Sequence, residues 1–143
     1  MGLGKTVVVL ALLDARRQAR EAEGRAPQPS LVVVPRSVLF NWQQEAARFA
    51  PRLRVLDFSG SGRGDRMHQI SESDLVIVTY GTLRRDAAAL ADVEFDYVVL
   101  DEAQTIKNSQ TAAAKAARLL RGQHRLALSG TPVENRLGDL WSL

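Results

Sequence analysis

Short apolar segments recur along this chain, each followed by a stretch with helical spacing, and that alternation limits the fold more than any other feature. Leu31 to Val34 is apolar throughout and Leu75 to Tyr80 nearly so, as expected of strands covered on both faces in a parallel sheet. Leu53 to Phe58, Tyr97 to Leu100 and Arg125 to Leu128 read as three further strands. Between them lie helical segments. Thr6 to Arg20 is apolar almost all round from Val7 to Leu13 and charged thereafter, so its first half is expected to be buried. A second helix is expected from a Ser37 cap to about Ala50, where Pro51 stops it. Ala-rich stretches at Arg84 to Ala91 and Thr111 to Arg121 supply two more. Strands alternating with helices at this spacing imply an α/β fold, a mostly parallel sheet with helices on both faces.

The 143 residues suffice for one domain with its own core, and 45% hydrophobic with 24% charged residues is an ordinary globular balance. No apolar run approaches the roughly 18 residues of a membrane span, and no basic segment followed by an apolar one opens the chain. Cysteine is absent, which excludes disulfides and thiolate metal sites. The expected location is therefore cytoplasmic, or nuclear in a eukaryote. The net charge of +3 fits a nucleic-acid partner and an ordinary solvated surface equally. Gly24 to Ser30 and Ser59 to Asp65 read as loops. His68 and His124 have no metal-ligand spacing.

Three strings carry chemistry. Gly2-Leu3-Gly4-Lys5-Thr6 opens a helix. Glycines there let backbone N–H groups curl around phosphate oxygens, Lys5 can neutralise the β- and γ-phosphates, and Thr6 can hold Mg²⁺. A flexible glycine-rich segment would read the same way. Asp101-Glu102-Ala103-Gln104 directly follows an apolar strand, the position where ligands gather in open α/β sheets. Asp101 could bind Mg²⁺ and Glu102 could deprotonate an attacking water, although a helix N-cap would use the same acids. Ser129-Gly130-Thr131-Pro132 follows another strand and is either a phosphate sensor or a plain turn. In this order within one alternating chain, the three strings reinforce one another.

The order resembles the first RecA-like lobe of superfamily-two helicases, and within them the Swi/Snf-type DNA-dependent ATPases. The resemblance spans the chain. Residues 1–6 resemble motif I, 31–42 with Glu45 resemble motif Ia, and Val-Thr-Tyr-Gly-Thr-Leu at 78–83 resembles motif Ib. Asp-Glu-Ala-Gln with Ile106-Lys107-Asn108 is similar to motif II, and Leu-Ser-Gly-Thr-Pro-Val-Glu-Asn at 128–135 to motif III. Gln104 stands where many members have histidine. The Asn41-Trp42 and Gly-Thr-Pro-Val-Glu-Asn strings set the chain apart from RNA-directed relatives.

The resemblance implies a RecA-like P-loop NTPase lobe that uses ATP and Mg²⁺ to move on double-stranded DNA. Gly2, Leu3, Gly4, Lys5 and Thr6 would grip the nucleotide, Asp101 and Thr6 hold the metal, and Glu102 with Lys5 carry the chemistry. Gln104, Ser129 and Thr131 would couple the nucleotide to lobe closure. Arg36, Ser37, Thr79, Tyr80, Gly81 and Thr82 would lie on loops touching the DNA backbone, and such contacts position without reading sequence. Arg36 reads equally as a solvated surface residue, and Trp42 reads as a packing residue within its helix.

The implied domain is a partial helicase ATP-binding domain over 1–143, with its first strand and its C-terminal RecA-like lobe absent. The absent strand is expected inside the sheet, leaving two neighbours unpaired, and the chain alone is expected to be marginally stable and nearly inactive. Beyond DNA and that lobe, a protein–DNA complex or RNA polymerase is the further partner to consider. A non-catalytic nucleotide- or DNA-binding module and an RNA-directed helicase lobe remain the alternatives.

Overall fold

The computed structural model describes residues 2–59, 66–106 and 111–129. The expectations placed on Gly130, Thr131, Pro132, Lys107, Asn108 and most of the loop at 59–65 lie outside them. Five strands, β1 (Ser30–Val34), β2 (Val55–Asp57), β3 (Leu75–Thr79), β4 (Glu94–Leu100) and β5 (Arg121–Ala127), form one sheet in the order β2-β3-β1-β4-β5. Every pairing is parallel. The helices are α1 (Gly2–Ala22), α2 (Leu39–Phe49), α3 (Tyr80–Arg85), α4 (Ala87–Ala91) and α5 (Ala112–Leu119). Among the described residues no helix is long and apolar enough to cross a membrane.

Successive strand residues point to opposite faces, so the apolar runs of β1, β3 and β4 feed two cores. Leu31, Val33, Val76, Val78, Val98 and Leu100 pack with Leu83, Leu90 and the Ala113–Ala117 face of α5. Val32, Val34, Leu75, Ile77 and Val99 pack with Val9, Leu10 and Leu13 of α1 and with Trp42 and Ala46 of α2. The sheet is thus covered by α1 and α2 on one side and by α3, α4 and α5 on the other. All five residues of β1 are buried, and a fully buried Val or Leu contributes about 1.5–3 kcal/mol.

Several expectations need correction. The first half of α1 is not buried all round: Thr6, Val9, Leu10 and Leu13 face the sheet, while Val8 is 68% exposed. A helix on a sheet offers it one stripe, and spacing of three and four selects that stripe whatever the opposite face carries. Ser37 does not cap α2. Pro35 and the bond from Val38 N–H to Pro35 O (3.1 Å) start a 3₁₀ turn over Arg36–Val38, so α2 begins one residue beyond Ser37's reach. Thr111 does cap α5, accepting the Ala114 N–H at 3.1 Å.

The strand β5 begins at Arg121 rather than Arg125, because Leu120 already has extended backbone (φ −66°, ψ 142°). It is an edge strand with mostly exposed residues, so no apolar run marks its start. Gly122 is required there, since a Cβ would meet Val98 Cγ2 at 2.8 Å. Among the described residues the five strands pair without an interior gap, β4 and β5 directly from Glu94↔Arg121 to Leu100↔Ala127.

Candidate functional site

The parallel register brings the strand ends together. Val34 lies opposite Thr79, Val33 opposite Leu100, and Leu100 opposite Ala127. The segments after β1, β3, β4 and β5 therefore emerge along one edge of the sheet, the edge where ligands bind in α/β folds.

At that edge Asp101 is held from several directions. Its N–H donates to Val33 O at 2.8 Å, and the Tyr80 hydroxyl donates to its carbonyl at 2.7 Å. Its carboxylate accepts the Trp42 Nε1–H on Oδ2 at 2.7 Å and the Glu102 N–H on Oδ1 at 2.9 Å. Burial pushes the Asp101 carboxyl above the usual carboxylate value and the neighbouring Glu102 charge adds to it. The Trp42 and Glu102 hydrogen bonds and the Lys5 charge only partly offset this. Burial also pushes the Tyr80 hydroxyl well up, reinforced by the charges of Asp101 and Glu102, so it stays a donor.

Glu102 adopts a left-handed backbone, φ 50°, a conformation that costs a non-glycine residue about 1–3 kcal/mol and persists where the surroundings impose it. The turn sends the chain back towards β5, where Ala103 N–H donates to Leu128 O at 2.7 Å. A polar relay then crosses the two strand ends. Gln104 Nε2 donates to Glu102 Oε2 at 2.7 Å, and Ser129 Oγ donates to Gln104 Oε1 at 2.8 Å. The sequence grouped Gln104 with Ser129, and the structure brings them together; Thr131 lies outside the described residues.

Gly2 to Thr6 forms the first turn of α1 rather than a separate loop before it. The opening N–H groups of a helix have no intrahelical acceptor and meet anions favourably. Gly4 is exposed, with open space where a Cβ would stand. Lys5 is half-buried and close enough for its charge to act on Asp101, while Thr6 is 3% exposed. A carboxylate that pays for burial beside a second carboxylate suits a divalent cation. Carboxylate and hydroxyl oxygens, the donor types of Asp101 and Thr6, are the hard donors that Mg²⁺ prefers. The residues fit the metal.

Along the same edge Arg36 and Ser37 are exposed. Thr79 turns its hydroxyl inward, accepting the Thr82 N–H at 3.2 Å to cap α3 and donating to Thr82 Oγ1 at 3.2 Å. Thr82 itself is 4% exposed and Gly81 half-buried. Of the residues expected on DNA-facing loops, Arg36 and Ser37 are thus the ones whose side chains stand in solvent. Sequence reasoning missed the link from Trp42 to Asp101. A buried indole N–H needs an acceptor, but nothing in the sequence says which. A concavity of about 470 Å³ lined by Leu13, Arg20, Arg54, Asp74 and Asp96 opens at the opposite, N-terminal end of the strands, away from these groups.

A profile described as the SNF2-related domain matches residues 1–143. An uncharacterized ATP-dependent helicase of Mycoplasma pneumoniae is 43% identical over 145 residues, covering 99% of this chain and 14% of that protein. The putative ATP-dependent helicase/translocase YwqA of Bacillus subtilis is 42% identical over 146 residues, covering 100% of the chain and 15% of that protein. The chain thus spans about a seventh of the length of these curated relatives. Among solved structures, the Sulfolobus solfataricus SWI2/SNF2 ATPase core in complex with dsDNA superposes with a TM-score of 0.84 at 43% identity. That match covers 99% of this chain and 28% of that one.

Proposed function

The chain belongs to the SNF2-related domain family, and on that footing we propose that it is the ATP-binding part of an ATPase that moves along double-stranded DNA. In this reading it is a partial first lobe whose parent supplies a further strand and a second, arginine-bearing lobe. The observation that carries it is the convergence of Lys5, Asp101, Glu102, Gln104 and Ser129 at one sheet edge, in a chain similar to an ATPase core solved with duplex DNA.

Gly2 to Thr6 bind the phosphates at the opening turn of α1, and Lys5 neutralises the β- and γ-phosphates. Bound Mg²⁺, held by Asp101 and Thr6, would supply charge neutralisation at the phosphate oxygens. Glu102 takes the proton of the attacking water. Its Oε2 accepts from Gln104, which leaves Oε1 to serve as the base. Through Gln104, Ser129 and Thr131 the state of the nucleotide passes to the second lobe. Arg36 and Ser37, with the backbone of the Thr79–Thr82 turn, meet DNA phosphates.

Steady-state ATP hydrolysis by the full-length protein tests this. Duplex DNA should raise turnover at least tenfold and RNA should not. Turnover that RNA stimulates would return the chain to the RNA-directed helicases, and nucleotide binding without turnover would make it a binding module.

A further inference from the structure

We propose that Trp42 is a positioning residue for the metal-binding carboxylate of Asp101, acting through the bond from its Nε1–H to Oδ2. The proposal rests on the ATP-site reading above and adds to it a residue from outside the nucleotide-binding segments.

The bond is 2.7 Å long and joins residues far apart in the chain. The Trp42 side chain is fully buried between α1, α2 and the sheet, packed with Val9, Leu10, Val34 and Val99. Its ring therefore has one position, and so does its N–H. The bonds to Val33 O and from the Tyr80 hydroxyl fix the Asp101 main chain, but they do not fix the side chain. The terminal torsion of an aspartate is broad and soft. Among the described residues, the other hydrogen bond to this carboxylate comes from the adjacent Glu102 N–H, which belongs to the strained turn itself and moves with it. The indole is the tertiary contact that sets the plane of the carboxylate. Partners of this kind, which hold a metal ligand in orientation, typically change metal affinity 10- to 100-fold when removed.

The same bond ties the site to its surroundings. The helix α2 that carries Trp42 follows directly from Arg36–Val38, a segment proposed above to meet DNA. Tyr80 starts in the other such segment and holds the Asp101 carbonyl. Both neighbouring segments thus reach the residue that takes the metal, Trp42 at its carboxylate and Tyr80 at its main chain.

The test uses the full-length protein, with ADP binding measured first in EDTA and then across a Mg²⁺ titration. Wild type is compared with Trp42→Phe and with the protein carrying 3-benzothienyl-alanine at position 42, which keeps the ring shape but lacks the N–H. Both substitutions should leave ADP affinity in EDTA within about twofold of wild type. Both should raise the Mg²⁺ concentration at half-effect about tenfold. An unchanged Mg²⁺ midpoint in the benzothienyl protein would overturn the proposal. So would an equal loss of ADP affinity with and without metal, which would make Trp42 a packing residue alone. Should Trp42→Phe fail to fold, the isosteric substitution decides the matter. If wild type itself shows no metal-dependent gain in ADP affinity, the ATP-site reading fails first, and the wild-type arm alone reports that.

Discussion

Replacing Asp96 with Asn removes the ion pair that fastens α1 to the sheet at the end remote from the proposed nucleotide site. Asp96 is 1% exposed. Arg16 grips it with a two-pronged contact, Nε to Oδ2 at 2.9 Å and Nη2 to Oδ1 at 2.7 Å, and Arg20 approaches Oδ1 at 3.4 Å. Breaking a buried ion pair from one side typically costs 3–5 kcal/mol, because the remaining charge stays buried. The Arg16 side chain is 35% exposed and regains some hydration, so the lower end, about 3 kcal/mol, is expected. With a urea dependence of about 2 kcal/mol per molar, the unfolding midpoint should fall by about 1.5 M.

The loss should also depend on pH. Burial by itself would raise the Asp96 carboxyl, but the hydrogen bonds and charge of Arg16, with Arg20 and His124, outweigh it and hold the carboxyl below the ordinary aspartate value. A carboxylate with a depressed folded-state pKa stabilises the protein above its unfolded pKa of about 3.9 and loses that contribution as pH falls through the folded value. Wild type and Asp96→Asn should therefore differ fully at pH 7, with the difference shrinking below about pH 3.9 and closing only at a pH below the folded-state value. Urea unfolding followed by far-ultraviolet circular dichroism at both pH values reads this directly. A midpoint shift below about 0.3 M at pH 7, or an equal shift at both pH values, would refute the reasoning.

Two other substitutions probe the sheet edge and the relay. Gly122→Val places a Cβ against Val98 and should destabilise by about 1–3 kcal/mol, read as a lower urea midpoint, whereas the neighbouring exposed Gln123→Val should change it little. Ser129→Ala removes the hydroxyl that donates to Gln104. It should lower DNA-stimulated kcat by about tenfold or more while leaving ATP affinity nearly unchanged, as expected for an interaction that matters mainly in the transition state.

The inner strands were legible because burial on both faces demands apolar residues at every position, as in the all-buried β1. At the edge that demand lapses. Gln123 and His124 stand exposed in β5, so the strand's first half carried no signal. The stripe of α1 was legible only in part, since an apolar outer residue such as Val8 looks the same in sequence as an inner one. The Ser37 cap failed because the Pro35 turn shifts the helix start by local geometry that composition does not encode. At the site, local strings suggested Lys5, Asp101, Glu102, Gln104 and Ser129, which lie in the first turn of α1 or just after a strand. The bonds of Trp42 and Tyr80 to Asp101 were invisible, because they depend on how α2 and the end of β3 meet β4 across the fold.

Glu102 is proposed above as the base of an ATP site on this sheet edge. The direct measurement pairs ATP binding with single-turnover hydrolysis in full-length Glu102→Gln, with duplex DNA present. ATP affinity should stay within a few-fold of wild type and hydrolysis should slow by roughly 10²–10⁴. Hydrolysis at the wild-type rate in that variant would contradict it.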